Sequence, residues 1–266
     1  MSASHGSDAP FRPPPSDATT RFSSRVADYA AHRPAYPPAL YAFLAGHLGL
    51  ARGIVVADVG SGTGIFARPL LEAGCVVYGV EPNRAMREEA ERALADAFGA
   101  FHSVAGTAEA TTLPPESVDL VAAAQAFHWF DPAEAACECR RILRRRGRAA
   151  MVWNTRRTDG SAFLRDYEAL LGEFGTDYRA VRHDRDEASR LGVFFRHGFD
   201  RVTFPNAQHL GRAGLRGRVL SSSYTPGADD PRRAPMLAAL DRLFDTHQQG
   251  GVVTIDYDTE LYHVRP

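Results

Sequence analysis

A glycine-rich turn after a short apolar strand is the feature of this sequence best suited to chemistry. The run VADVGSGTG spans residues 56–64 and includes Gly60, Gly62 and Gly64. Glycine tolerates positive φ and lets a ligand approach the backbone closely. The helix predicted to follow would add free N–H groups and the positive end of its dipole. The turn is therefore predicted to bind an anionic group, either a phosphate or a carboxylate.

Two acids flank this turn. Asp58 lies two residues before Gly60, and we expect its carboxylate to accept hydrogen bonds from the amides of the turn. Glu81 lies 21 residues after Gly60, at the end of a second predicted strand over 76–80. In nucleotide-binding α/β folds, an acid at about this distance accepts hydrogen bonds from ribose hydroxyls. The spacing therefore predicts a ligand that contains a nucleoside, with Glu81 at its ribose.

The same turn leaves a second ligand class open. The dinucleotide fingerprint G-x-G-x-x-G/A, if it began at Gly60, would need a glycine or alanine where Ile65 stands. A frame from Gly62 to Ala67 does match, but it lacks the usual position relative to the strand end. A nicotinamide-dependent oxidoreductase is therefore the weaker alternative.

Strands alternate with helices through the first half of the chain. Short apolar runs predict strands over 54–59, 76–80, 101–105, 118–124 and 149–153. This alternation is typical of a doubly wound, mostly parallel α/β sheet. Beyond residue 154 the pattern is looser. It predicts a helix over 163–174, a strand over 199–210, a helix over 237–244 and a strand pair or hairpin over 252–264.

Composition excludes several classes of function. The chain has 266 residues, a net charge of -1 and 31 basic residues, all of them arginine, so lysine Schiff-base chemistry is excluded. No apolar run reaches the roughly 18 residues of a spanning helix, and the N-terminus lacks the pattern of a signal peptide. Three cysteines without metal-ligand spacing predict no metal site. We expect a cytoplasmic protein without a membrane partner.

One basic run raises the question of nucleic acid. Residues 140–148 read RRILRRRGR and overlap the C-terminal end of a predicted helix over 133–146, where the arginines would lie on the exposed side of the helix. Cations are favourable at that end of a helix. The absence of interleaved aromatic residues and of a net positive charge argues against nucleic acid as a partner.

Successive motifs of this chain resemble those of class I S-adenosylmethionine-dependent methyltransferases. They are VADVGSGTG, VYGVEPN, GTAEATTLP and VDLVAAAQAFHWFD, in that order. Within this class the chain resembles the type-11 methyltransferase domain group and is similar to the trans-aconitate carboxyl methyltransferases. The resemblance implies a Rossmann-like seven-stranded sheet and methylation of a small organic acceptor, with S-adenosylhomocysteine as product.

The resemblance also implies an organisation of the chain. Residues 1–20 are rich in proline and serine and are predicted to be a disordered tail. Residues 21–266 would form one methyltransferase domain. In it, 21–50 would be an N-terminal helical lid, 51–154 the cofactor-binding core, and 155–266 the acceptor-side helices and terminal strands.

The resemblance assigns cofactor contacts to particular positions. Those at the methionine portion would be Gly60, Gly62, Gly64, Gln125 and the lid residues Tyr29 and Arg33, with the arginine at the cofactor carboxylate. Glu81 would hold the ribose, while Ala108 and Glu109 would border the adenine. Thr107 stands where many relatives have an aspartate for the adenine amino group, so this chain departs from the pattern there.

Catalytic residues are harder to assign from sequence, because methyl transfer mainly requires alignment of the two reactants. A general base is needed only when the acceptor arrives protonated. His128 is the candidate base, with a packed, loop-ordering histidine as the alternative. Trp129, Trp153 and Tyr224 are candidates for the acceptor side. A cofactor-binding interaction module without catalysis is the second alternative for the whole chain.

Overall fold

A computed structural model describes residues 26–176, 178 and 187–264. The predicted disordered tail, residues 1–20, lies outside the described residues. The helices are α1 Val26–His32, α2 Pro38–Leu48, α3 Ala67–Glu72, α4 Arg84–Leu94, α5 Pro132–Ile142, α6 Ala162–Phe174, α7 Glu187–Phe194, α8 Arg212–Leu220 and α9 Arg233–His247. The strands are β1 Val55–Val59, β2 Val76–Val80, β3 Phe101–Val104, β4 Val118–Ala124, β5 Leu143–Arg156, β6 Phe199–Leu210 and β7 Val253–Val264.

The seven strands form one sheet in the order β3-β2-β1-β4-β5-β7-β6. Strands β1 to β5 pair in parallel, whereas β7 is antiparallel to both β5 and β6. The prediction of a mostly parallel, doubly wound sheet is confirmed. Since β1 lies inside the sheet, its carboxyl end meets those of β4 and β5 at one edge.

Helices cover both faces of the sheet because its inner strands are apolar on both sides. Val56 of β1 belongs to one core with Leu40 of α2 and Leu70 of α3. Its neighbour Ala57 belongs to a second core with Ile142 of α5. Successive side chains of a strand point to opposite faces of the sheet. A strand that is apolar at every position must therefore be covered on both faces.

The last two strands form a long antiparallel ribbon. Strand β6 pairs with the whole of β7, from Phe199 with Val264 to Leu210 with Val253. Strand β5 pairs with β7 only at β7 residues 257–263, so the other end of the ribbon extends beyond β5. A third core, which includes Leu164 of α6, Leu240 of α9 and Ile255 of β7, packs at the protruding end. The predicted hairpin over 252–264 was wrong, because this segment is one strand that pairs on both edges.

The arginine-rich run does not continue a helix. Helix α5 ends at Ile142, and Leu143 pairs with Val118 as the start of β5, so the prediction of a helix to residue 146 was wrong. Arg144 forms an ion pair with Asp119 of β4. Strand pairing along β4 overrides the helical propensity of the arginines, which is a weak preference.

The N-terminal helix rests on α8. A Cβ at Gly217 would overlap the imidazole ring of His32, so glycine at this position permits the close approach of α1. Gln208 of β6 also donates a hydrogen bond to the carbonyl oxygen of His32 at 3.1 Å. These contacts hold α1 above the carboxyl ends of the strands.

Candidate functional site

A cavity of about 390 Å³ opens at the carboxyl ends of β1, β4 and β5. Its floor includes the glycine turn after β1 and Gln125 after β4. Residues of α1 and the loop that follows it form one wall, and residues of β5, β7 and the segment after α8 form the other. Crevices at strand ends are where open α/β sheets bind their ligands.

The glycine turn needs left-handed backbone at each of its glycines. The φ angles of Gly60, Gly62 and Gly64 are 71°, 55° and 82°. The N–H of Gly60 donates to the carbonyl oxygen of Val80 at 2.8 Å, which ties the turn to β2. A Cβ at Gly62 would meet no atom within 4 Å, and Gly62 lines the cavity. The turn therefore leaves open space where a ligand can approach the backbone.

Gly60→Ala is expected to destabilise the fold more than the same change at Gly53. Both glycines have positive φ, but a Cβ at Gly60 would overlap that of Ala126, whereas one at Gly53 would meet nothing within 4 Å. Overpacking typically costs about 1–3 kcal/mol beyond the shared backbone strain. Urea unfolding of both variants measures this difference, and equal losses of stability would contradict the contact with Ala126.

Asp58 is a buried carboxylate without a hydrogen-bond partner among the described residues. Its side chain is 0% exposed, and both carboxylate oxygens are unpaired at the inner wall of the cavity. Burial, followed by repulsion from Glu81, raises the pKa of Asp58 to about 7. The expectation that Asp58 accepts hydrogen bonds from the turn was wrong, because the carboxylate of Glu81 takes that place.

Glu81 joins the turn to the next helix. One oxygen accepts from the N–H of Gly62 at 3.0 Å and the other from the N–H of Asn83 at 2.8 Å. Burial raises the pKa of Glu81, although these two hydrogen bonds oppose the rise. A carboxylate has about four lone-pair sites, so Glu81 can accept further hydrogen bonds while it holds the turn.

Gln125 lies at the end of β4 in an uncommon backbone conformation. Its φ is 59°, and its N–H donates to the carbonyl oxygen of Val152 at 2.8 Å. Its side-chain amide donates to the carbonyl oxygen of Asn154 at 3.1 Å. Left-handed non-glycine residues cluster at ligand sites, and here Gln125 lines the cavity.

Tyr29 and Arg33 of the N-terminal segment both line the cavity. The guanidinium carbon of Arg33 lies 4.7 Å from the centroid of the Tyr29 ring. An Nη of Arg33 donates to the carbonyl oxygen of Ser221 at 3.1 Å, while its Nε has no partner among the described residues. The structure therefore brings both predicted lid residues to the site.

Several predicted site residues do not line this cavity. Gly64 faces Leu94 of α4, where a Cβ would overlap the leucine side chain. Ala108 is buried in the core beneath the sheet, and Glu109 accepts a hydrogen bond from the N–H of Asp131 at the start of α5. Glu81 contacts the glycine turn without itself lining the cavity.

Of the four predicted catalytic and acceptor-side residues, some line the cavity and others do not. His128 and Trp129 form a half-buried 3₁₀ turn outside the cavity lining, with ring centroids 4.9 Å apart. Trp153 is a core residue that packs on Phe127 and Tyr262. Tyr224 alone of these four lines the cavity. Burial raises the pKa of its phenol, but the nearby guanidinium groups, led by Arg218, outweigh burial and lower it.

Sequence reasoning missed most of the far wall of the cavity. Arg156 and Arg218 line it, together with Tyr178 and Tyr257. Arg156 donates to Glu168 at 2.5 Å and to the phenol of Tyr178 at 2.6 Å. Nothing in the sequence marks these residues, because an arginine in a polar helix or at a strand end reads as a solvated side chain.

Two kinds of feature are absent from the described part of the chain. No helix there is long and apolar enough to cross a membrane. Over the same residues, no group of three or more His, Cys, Asp or Glu side chains is placed to hold a metal ion.

Comparisons with known proteins place the chain among methyltransferases. A family model described as a methyltransferase domain matches residues 57–151, from β1 to β5. An uncharacterized methyltransferase-like protein of Schizosaccharomyces pombe is 33% identical over 236 residues, which are 85% of this chain and 86% of that protein. An uncharacterized methyltransferase of Mycobacterium tuberculosis is 37% identical over 163 residues, which are 61% of this chain. The chain spans 63% of the length of that mycobacterial relative.

Solved structures agree on the architecture. A protein of Anaeromyxobacter dehalogenans assigned as a type II methyltransferase has a TM-score of 0.63 at 24% identity, over 88% of this chain and 97% of that one. A protein of Anabaena variabilis assigned as a methyltransferase of an antibiotic biosynthesis pathway has a TM-score of 0.60 at 21% identity, over 90% and 100%. At these identities the similarity concerns the fold alone.

Proposed function

Because this chain belongs to the class I S-adenosylmethionine-dependent methyltransferase family, we propose that it methylates a small organic molecule. S-adenosylmethionine would be the methyl donor and S-adenosylhomocysteine the product. The observation that carries this proposal is the cavity at the strand ends. There, the backbone of Gly62 faces open space, and several buried polar atoms lack a hydrogen-bond partner among the described residues.

The chemistry of these polar atoms fits the amino-acid portion of the cofactor. Unpaired buried atoms at the cavity include the carboxylate of Asp58, the hydroxyl of Thr63 and the Nε of Arg33. A ligand with both an ammonium and a carboxylate group could pair its ammonium with the carboxylate of Asp58 and its carboxylate with the guanidinium of Arg33. In this proposal Arg33 and Tyr29 hold the carboxylate end, and the backbone around Gly60, Gly62 and Gln125 faces the methionine portion. Glu81 is assigned to the ribose.

When bound, S-adenosylmethionine would supply an activated methyl group on its sulfonium for transfer to a nucleophilic atom of the acceptor, with S-adenosylhomocysteine as the leaving group. The protein contributes alignment and the exclusion of water rather than covalent chemistry. Tyr29 and Tyr36 line the α1 side of the cavity, while Tyr224 and Tyr257 line the opposite side. These rings limit the access of water to the reacting atoms.

Isothermal titration of the wild-type protein tests the cofactor assignment. We expect S-adenosylmethionine and S-adenosylhomocysteine to bind, and reduced nicotinamide dinucleotide not to bind. Formation of S-adenosylhomocysteine during incubation with a library of small acceptors then measures catalysis. Binding of the dinucleotide without binding of either sulfur compound would overturn the proposal, and cofactor binding without any turnover would favour the interaction-module alternative.

A further inference from the structure

Arg218 of α8 is a buried cation at the wall of the cavity. Its side chain is nearly inaccessible, and it lines the same space as the glycine turn. Its Nε donates to the phenol of Tyr257 at 3.1 Å, and one Nη donates to the hydroxyl of Ser222 at 2.9 Å. Both partners are neutral, and no carboxylate among the described residues pairs with Arg218. Its second Nη group makes no hydrogen bond to the described residues.

A buried guanidinium of this kind requires an explanation. Arginine keeps its charge at all physiological pH values. Burial of an unpaired charge is costly, so buried charges are paired in native proteins or face a charged ligand. The two hydroxyl bonds of Arg218 supply hydrogen-bond partners without neutralising its charge. The structure therefore maintains a net positive charge at this place.

A second guanidinium reinforces this positive charge. Arg33 lines the same cavity from the α1 side, and its hydrogen bond is to the backbone carbonyl oxygen of Ser221 rather than to an acid. Burial, followed by repulsion from Arg218, lowers the pKa of Arg33, so the two cations are close enough to repel each other. Arg156 is different, because it forms an ion pair with Glu168 at 2.5 Å.

Three acids line the cavity, Asp58, Glu187 and Glu260, and none of them forms an ion pair with Arg33 or Arg218 among the described residues. Glu260 is engaged by Arg201 and by the hydroxyl of Thr155. Asp58 is beside Glu81 at the glycine turn, on the cofactor side of the proposed site. With Arg33 assigned to the carboxylate of the cofactor, Arg218 is left for a second anion.

We propose that Arg218, together with the phenol of Tyr224, binds a carboxylate group of the methyl acceptor, which is therefore an organic acid. This inference rests on the proposed function, because it takes the acceptor to share the cavity with the cofactor. The unused Nη group of Arg218 and the Tyr224 hydroxyl are the donors that a carboxylate would accept from. Charge-assisted hydrogen bonds of this type are the strongest that side chains form.

Thermal unfolding with simple probes tests the subsite without knowledge of the acceptor. Sodium benzoate and sodium acetate are compared with sodium chloride at equal ionic strength, and with benzamide and acetamide as neutral isosteres. At concentrations of several Kd we expect the carboxylates to raise the midpoint by on the order of 2–4 °C. The amides and chloride should give no such shift. Equal effects of benzoate and benzamide, or stabilisation by phosphate but not by carboxylates, would overturn the inference.

Variants of Arg218 test whether this residue causes the carboxylate-dependent rise in the unfolding midpoint. Arg218→Met and Arg218→Gln are both expected to lose the carboxylate-dependent shift, and the glutamine retains hydrogen-bonding capacity toward Tyr257 and Ser222. Arg216→Met is the matched control, since Arg216 lies on the same helix and pairs with Asp241 at the surface. A benzoate shift that survives in a folded Arg218 variant would overturn the assignment. If neither variant folds, the wild-type comparison of acid with amide decides.

A final arm separates this inference from the proposed function. The benzoate titration is repeated with S-adenosylhomocysteine at saturation, so that the carboxylate of the cofactor product occupies its own site. Persistence of the benzoate shift supports an acceptor subsite, whereas its loss would identify the anion at Arg218 as that of the cofactor and overturn the inference. Failure of S-adenosylhomocysteine to bind would count against the proposed function alone, because the benzoate titration without it measures carboxylate binding separately.

Discussion

Glu81→Ala is expected to weaken the binding of S-adenosylhomocysteine by about 30- to 1,000-fold, equivalent to roughly 2–4 kcal/mol. Two contributions have the same sign. The proposed hydrogen bonds to the ribose are lost, and the N–H groups of Gly62 and Asn83 lose the acceptor that shapes the turn. Isothermal titration of the wild type and the variant measures the loss.

Two further variants show which contribution dominates. Glu81→Gln keeps the volume and one acceptor oxygen but removes the charge, so we expect an intermediate loss of affinity. Glu88→Ala is the control, since Glu88 is an acid on α4 whose ion pair with Arg84 is exposed. It should bind like the wild type. Unchanged affinity in a folded Glu81→Ala protein would refute the assignment of Glu81 to the cofactor.

Asp58→Asn is expected to stabilise the protein above neutral pH by up to about 4 kcal/mol. The pKa of Asp58 is about 7 in the folded protein, well above the value of 3.8 expected for an exposed aspartate. Folding therefore takes up a proton between these pH values. Stability is highest below the unfolded pKa and is lost as the pH rises toward 7. Asparagine at this position removes the charge that is buried at high pH.

Urea unfolding at pH 4.5 and pH 8.5 checks the sign of this effect. The difference between Asp58→Asn and the wild type should be large at the higher pH and small at the lower one. Asp96→Asn is the control, because Asp96 is an exposed acid beyond the end of α4. Parallel pH profiles for the wild type and Asp58→Asn would contradict an unpaired, ionising carboxylate at this position.

Both predictions concern acids beside the glycine turn, where strained backbone occurs next to an unpaired buried carboxylate. Positive φ at three glycines, an unpaired buried aspartate and a left-handed Gln125 all occur where β1 and β4 end. Strained backbone and unsatisfied groups persist only where the surrounding structure holds them, and they are typical of ligand sites. This concentration is consistent with the proposed cofactor site and is independent of the comparisons with other proteins.

The sequence by itself determined the parallel half of the sheet. Strands β1, β2 and β4 are short, mainly apolar runs that are followed by Gly60, Glu81 and Gln125, and local pattern predicts such segments well. The glycine turn, Glu81 at the end of β2 and the cavity positions of Tyr29, Arg33 and Tyr224 also follow from local motifs or from the resemblance. The domain boundaries and the similarity to trans-aconitate methyltransferases stay predictions.

Only the tertiary structure decided the rest. Residues 143–148 form a strand because β4 offers them a partner, and residues 253–264 stay one strand because β5 and β6 pair with both edges. Arg218 is separated by 158 residues from Gly60, yet both line one cavity, and its burial arises from contacts between α8, β7 and α1. Burial and charge compensation depend on residues distant in sequence, so no local pattern distinguishes this arginine from a solvated one.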